Sequence, residues 1–171
     1  MSDDHTAYHE AAHAVSAWQW YGRAFVLVSL DIDNGVTRYD NDDGPSMAKL
    51  EREVTVAWAG PMTEMIARGW KPERVLRPTL TLFFDEPHRS WLDSALHYEF
   101  RKWLKLALSL GLGPDEIDIL FERLRQRCLD RMEEPRYWPT VQWLAELLLV
   151  ERTLYWQDVN DAIDLPRQVH V

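Results

Sequence analysis

Cysteine is nearly absent: Cys128 is the only one in 171 residues. That excludes an intramolecular disulfide and a thiolate zinc cluster, each of which needs at least two thiols. Long apolar runs are absent too. The longest mostly apolar stretch, LAELLLV at 144–150, falls far short of the ~20 residues that span a bilayer. Positive charge is scarce, with 19 Lys and Arg against 28 Asp and Glu and a net charge of -9. A nucleic-acid binder needs a basic footprint, and anionic lipid attracts basic segments, so neither nucleic acid nor membrane is an expected partner. The first twenty residues open on Asp3 and Asp4 without a basic n-region. No signal peptide is therefore expected, and a cytoplasmic location is.

Apolar material, by contrast, is ample. The chain is 46% hydrophobic and 12% aromatic and carries nine Trp, which builds a packed core and exceeds what a disordered chain holds. Trp18, Trp58, Trp103 and Trp143 fall at helical apolar spacings, as core residues do. The length fits one domain.

The expected fold is mainly α with one small β element. A helical run follows the capping residues Ser2, Asp3 and Asp4 and reaches about Trp20, with Gly22 ending it. AFVLVSLDI is β-rich, and DNG followed by VTRY reads as a turn and a return strand. A second helix is expected from about Ser46 to Ala67, with Leu50, Val54, Ala57, Met62, Met65 and Ile66 as its apolar positions. Pro61 should kink or split it, and Gly69 should stop it. Residues 71–88 hold three prolines and read as an ordered loop, with a short strand at TLTLFF. Helical periodicity returns at about 89–110, with Leu92, Leu96, Phe100, Trp103, Leu104 and Ala107 roughly on one side. GLGP separates it from a helix at about 114–133, in which Cys128 reads as a small core or boundary residue rather than a nucleophile. A helix at about 139–154 follows, with Val141, Leu144, Ala145, Leu148 and Leu149 inward, and a last short helix begins near Gln157. The chain thus divides into a first part at 1–70, the loop at 71–88 and C-terminal helices at 89–171, taken together as a single domain.

One motif carries chemistry. HEAAH at 9–13 is an HExxH sequence inside the first helix. Residues i and i+4 share a helix face, so His9 and His13 can ligate one Zn²⁺ at ~2.0–2.1 Å. Glu10 projects beside the metal and can take a proton from the water that the metal acidifies. Chance alone gives such a motif in roughly one chain in a few hundred of this length. The plain alternative is two solvent-facing histidines on an amphipathic helix. Ala7, Ala11, Ala12, Ala14, Val15 and Ala17 argue against it. They make the helix a buried one, and two His and a Glu buried without a partner would be costly.

TAYHEAAHAV at 6–15 resembles the zinc-binding helix of FtsH, the membrane-anchored AAA+ zinc protease family, whose motif reads HEAGH followed by Ala. Ala12 stands for the usual Gly. NGVT at 34–37 is similar to the small β element after that helix. WAGPMTEMI at 58–66 resembles the family's Ala-Gly-Arg-x-Ala-Glu-Glu-Leu-Ile segment through Ala59, Gly60, Glu64 and Ile66. VQWLAELLLVERTLYWQDVNDAI at 141–163 resembles its closing helix pair. The likeness spans nearly the whole chain and implies a helical zinc-peptidase domain with a small β-hairpin next to the zinc helix. It also implies cleavage of peptide or unfolded protein, with His9 and His13 holding zinc and Glu10 as the base. No GxxxxGK[ST] occurs, so the likeness is to the peptidase half standing alone. Unfolding force then comes from a separate partner ATPase or is not needed, and homo-oligomers are compatible with the reading.

The third zinc ligand is where this chain departs from the family, whose ligand is the Asp of Asn-Asp-Leu-x-x-Ala. The matching segment here is Ser90-Trp91-Leu92-Asp93-Ser94-Ala95, with Trp91 at the ligand position. Asp93 is the expected substitute, a carboxylate in the matching segment; Asp85, Glu86 and His88 stay open. Asp93 lies two residues past the register, about 200° round a regular helix, so it needs a shifted register or helix start. A non-catalytic FtsH-like binding or regulatory domain is the rival reading. Glu64 is either an orienting group for a zinc histidine or a locally paired carboxylate. His5, one turn before His9, reads either as a supporting group behind that ligand or as an exposed residue near the N-terminus, and His97 reads as a solvent or boundary histidine. FVLVSL reads either as an open edge for an extended peptide or as ordinary packing against the zinc helix.

Overall fold

The computed structural model describes residues 3–32, 35–39, 44–69, 91–157 and 159–160, with the side chains of residues 3 and 91–99 outside that description. The loop at 71–88, its TLTLFF segment, most of the final helix and the hairpin residues 33–34 therefore lie outside the described residues. The chain folds as two compact units. One joins residues 1–41 to 132–171, and the other is 42–131.

The first unit is built on two helices, α1 (Asp3–Tyr21) and, far along the chain, Tyr137–Glu151. Ala7, Ala11, Ala12, Ala14, Val15, Ser16 and Ala17 of α1 are all buried. Side chains this small let a neighbouring helix approach closely, so α1 is enclosed on several faces instead of one stripe. Between the two helices in sequence come β1 (Leu27–Ser29) and β2 (Val36–Arg38), antiparallel with Val28 opposite Thr37. Pairing begins at Ser29 and Val36, so the connection takes six residues, not the tight two-residue turn that Asn-Gly suggests. Both strands lie against α1.

Among the described residues the second unit contains α2 (Met47–Ala67), α3 (Trp91–Ser109) and α4 (Pro114–Met132). Ser46 caps α2, its Oγ accepting from Lys49 N at 3.1 Å. Pro61 does not split α2: the helix is continuous through it, with every residue from Glu53 to Met65 buried. Tertiary packing around the proline offsets the one backbone bond it removes. Trp58, Phe100 and Phe121 form the centre of this core, with Phe100 4.4 Å from Trp58 and 5.9 Å from Phe121, ring to ring. On α4 the buried residues Ile117, Leu120, Phe121, Leu124 and Cys128 keep the helical period. A Schellman turn at Gly111, with φ +85, ends α3: Leu112 N donates to Ala107 O and Gly111 N to Leu108 O.

The helix expected at 139–154, here α5, runs from Tyr137 to Glu151 and stops earlier than the sequence suggests. Arg152 turns the chain at φ 64, and Thr153–Tyr155 forms a strand, β3. β3 pairs antiparallel with β1, so the sheet order is β2-β1-β3. Ser29 Oγ and Thr153 Oγ1 meet at 2.7 Å across that pair. β1 is consequently the central strand, and FVLVSL is not an open edge; among the described residues the sheet's edges are β2 and β3. Among the described residues no helix is long and apolar enough to cross a membrane.

Candidate metal centre

The helical period of α1 places the HEAAH side chains. His9 and His13 are one turn apart on one face, and their imidazole centroids lie 4.8 Å apart in an edge-on arrangement. Glu10 lies about 100° round the helix, on the side facing β2. All three are more than nine-tenths buried: His9 is 8% exposed, Glu10 7% and His13 7%. The alanines around them are fully enclosed, as the composition of the helix leads one to expect.

The Glu10 carboxylate is held from the sheet. Thr37 Oγ1 donates to Glu10 Oε2 at 2.7 Å and lies 3.1 Å from the Glu10 carbonyl oxygen. Gly35, at φ +115, sits on the other side of the same carboxylate. A Cβ there would come 2.6 Å from Thr6 Cγ2 and 3.0 Å from Glu10 Oε1. Only glycine combines that backbone angle with that approach. Sequence reasoning places NGVT in the β element but gives Thr37 and Gly35 no part in the site. The available signal is a hydroxyl on a strand that packs against a helix bearing a buried carboxylate.

The donor chemistry suits zinc: two imidazoles at i and i+4, mutually close, buried, and flanked by a carboxylate that is not on their face. Among the described residues, no group of three or more His, Cys, Asp or Glu side chains is arranged to share a metal ion. Asp85, Glu86 and His88 lie outside the described residues, as do the side chains of Asp93 and His97. The backbone of α3 begins at Trp91, which makes Asp93 its third residue.

His5 is half-buried rather than exposed, with Nδ1 enclosed and making no hydrogen bond among the described residues. Glu64 is buried in α2 and accepts from Arg68 Nε and Nη2 at 3.2 and 2.6 Å, the pairing of a carboxylate with a residue one turn on. Cys128 is fully enclosed in the second unit, and burial pushes its thiol above the usual range. A thiol kept protonated is a core group, not a nucleophile.

No protein-family model matches the chain, and no curated protein is significantly similar to it.

Proposed function

We propose that this chain is a zinc-dependent metallopeptidase-type domain with the fold of the FtsH peptidase half, His9 and His13 being metal ligands and Glu10 the general base. The observation that carries the reading is the burial of two imidazoles and a carboxylate, at HExxH spacing, on one alanine-lined helix. Two neutral nitrogen donors one turn apart, with a carboxylate beside them, are the donor set that a catalytic zinc takes.

Zinc, when bound, supplies the Lewis acidity that polarises a peptide carbonyl and acidifies a water. His9 and His13 offer neutral nitrogen donors and so leave the positive charge of the centre intact. A third protein ligand completes such a centre, and Asp93 is the proposed one, on the family resemblance. Glu10 takes the proton of the attacking water and hands it to the departing amine, ending each turnover as the carboxylate it began as. The substrates are peptides or already flexible protein, or protein unfolded by a separate partner.

Trp91 favours the second reading, a non-catalytic domain of the same fold. It begins α3 where the family sequence sets its carboxylate ligand, and an indole cannot take that role. Glu10→Gln separates the two readings. Under the proposal the variant keeps its zinc and loses hydrolysis of unfolded protein. Equal rates in variant and parent remove Glu10 from the chemistry, and a parent that cleaves nothing leaves the non-catalytic reading.

A further inference from the structure

We propose that Thr37 is a positioning residue for Glu10, fixing the base through a hydrogen bond to one carboxylate oxygen and leaving Oε1 for proton transfer. This rests on Glu10 being the general base. A glutamate on a helix has three side-chain torsions, and a base that must meet a proton within hydrogen-bond reach gains from having them fixed. Thr37 is suited to fix them. Its 2.7 Å contact with Glu10 Oε2 is the ordinary length of a good O–H···O bond, and an ionised acceptor makes such bonds stronger.

The donor is itself well anchored. Thr37 lies in β2, opposite Val28 of the central strand, and its β-branch restricts χ1. Its hydroxyl lies within 3.1 Å of the Glu10 main-chain oxygen as well, so the carboxylate is referenced to its own backbone. From the other side, Glu10 Oε1 lies against the bare backbone of Gly35, where a side chain would collide. The hydroxyl carries no charge. It therefore orients Glu10 without neutralising it, which an Arg or Lys in its place would do.

A purely structural tie between β2 and α1 would use the same bond, so the test must distinguish the two. The zinc-loaded parent, Thr37→Val and Thr37→Ser are compared for zinc content and for kcat and KM on fluorescein-labelled casein. Thr37→Val keeps the shape and removes the donor; Thr37→Ser keeps the donor. The expected result is a kcat about 10- to 100-fold lower in Thr37→Val, with KM within about twofold, zinc unchanged, and kcat largely restored in Thr37→Ser. In zinc-stripped protein, Thr37→Val should lower Tm by about 3 °C in the parent background and by less than about 1 °C in Glu10→Ala, because the partner is already gone. An unchanged kcat in Thr37→Val overturns the inference and leaves the proposed function standing. So does a loss of zinc that accounts for the loss of rate, or a Thr37→Ser as slow as Thr37→Val. Should Thr37→Val not fold, Thr37→Ala, which also lacks the donor, takes its place and is judged by the same criteria. A parent inert on casein fails the proposed function itself, and the inference with it.

Discussion

Ser16 Oγ and Tyr137 OH lie 3.1 Å apart although 121 residues separate them in the chain. The contact joins α1 to the first residue of α5, and both side chains are fully buried. Around it the same two helices meet through Gln19 Nε2, which donates to Thr140 Oγ1 at 3.2 Å, and through Tyr8 stacked on Trp138 and Trp20 stacked on Tyr137. The helix that carries HEAAH is thus shaped by the C-terminal part of the chain.

Tyr137→Phe removes that hydroxyl and keeps the ring. A lost internal hydrogen bond costs about 1 kcal/mol, and Ser16 can recover part of it by bonding back along its own helix. Urea unfolding should show a loss of that size. Zinc content should not change, because the Ser16 hydroxyl, nearly a turn beyond His13, is turned to Tyr137 and is not one of the proposed metal donors.

Gly35→Ala should be far more damaging than its one methyl suggests. The new Cβ meets Thr6 Cγ2 at 2.6 Å and Glu10 Oε1 at 3.0 Å, at a backbone angle of φ +115 that non-glycine residues avoid. β2 or the Glu10 carboxylate must give way. The expected outcome is hydrolysis reduced at least tenfold with the zinc retained. Parent-like rates would mean that the carboxylate has room to move without consequence.

Asp93→Asn should weaken zinc retention at least tenfold, while His88→Ala should not, as measured by competition with a chelator. If His88→Ala alone strips the metal, Asp93 is the wrong choice. If neither change matters, zinc has only His9 and His13 as protein ligands and the non-catalytic reading becomes the better one.

The parts of this fold legible in the sequence are those whose signal is local. α2 and α4 repeat an apolar residue every three or four positions; Ser46 and Gly69 mark the limits of α2, and Gly111 ends α3 just before α4. The HExxH pair is legible for the same reason, since i and i+4 meet within one helix. β3 was not legible. Thr153–Tyr155 is too short to show alternation, and its partner Leu27–Ser29 is more than 120 residues away, so helical periodicity ran on through it. That one missed strand also changes the function of β1 from a free edge to the middle of a sheet. Thr37 is hidden likewise: its hydrogen-bond partner lies 27 positions earlier, on an element of different type.

Zinc content tests the central proposal most directly. The protein purified without added metal, from a medium containing ordinary trace zinc, should carry close to one zinc per chain by elemental analysis. His9→Ala combined with His13→Ala should carry none and should melt at a lower temperature, because a metal bound only by the folded state stabilises it. A parent that is metal-free after such a preparation, or a double variant that keeps its zinc, would contradict the assignment of His9 and His13.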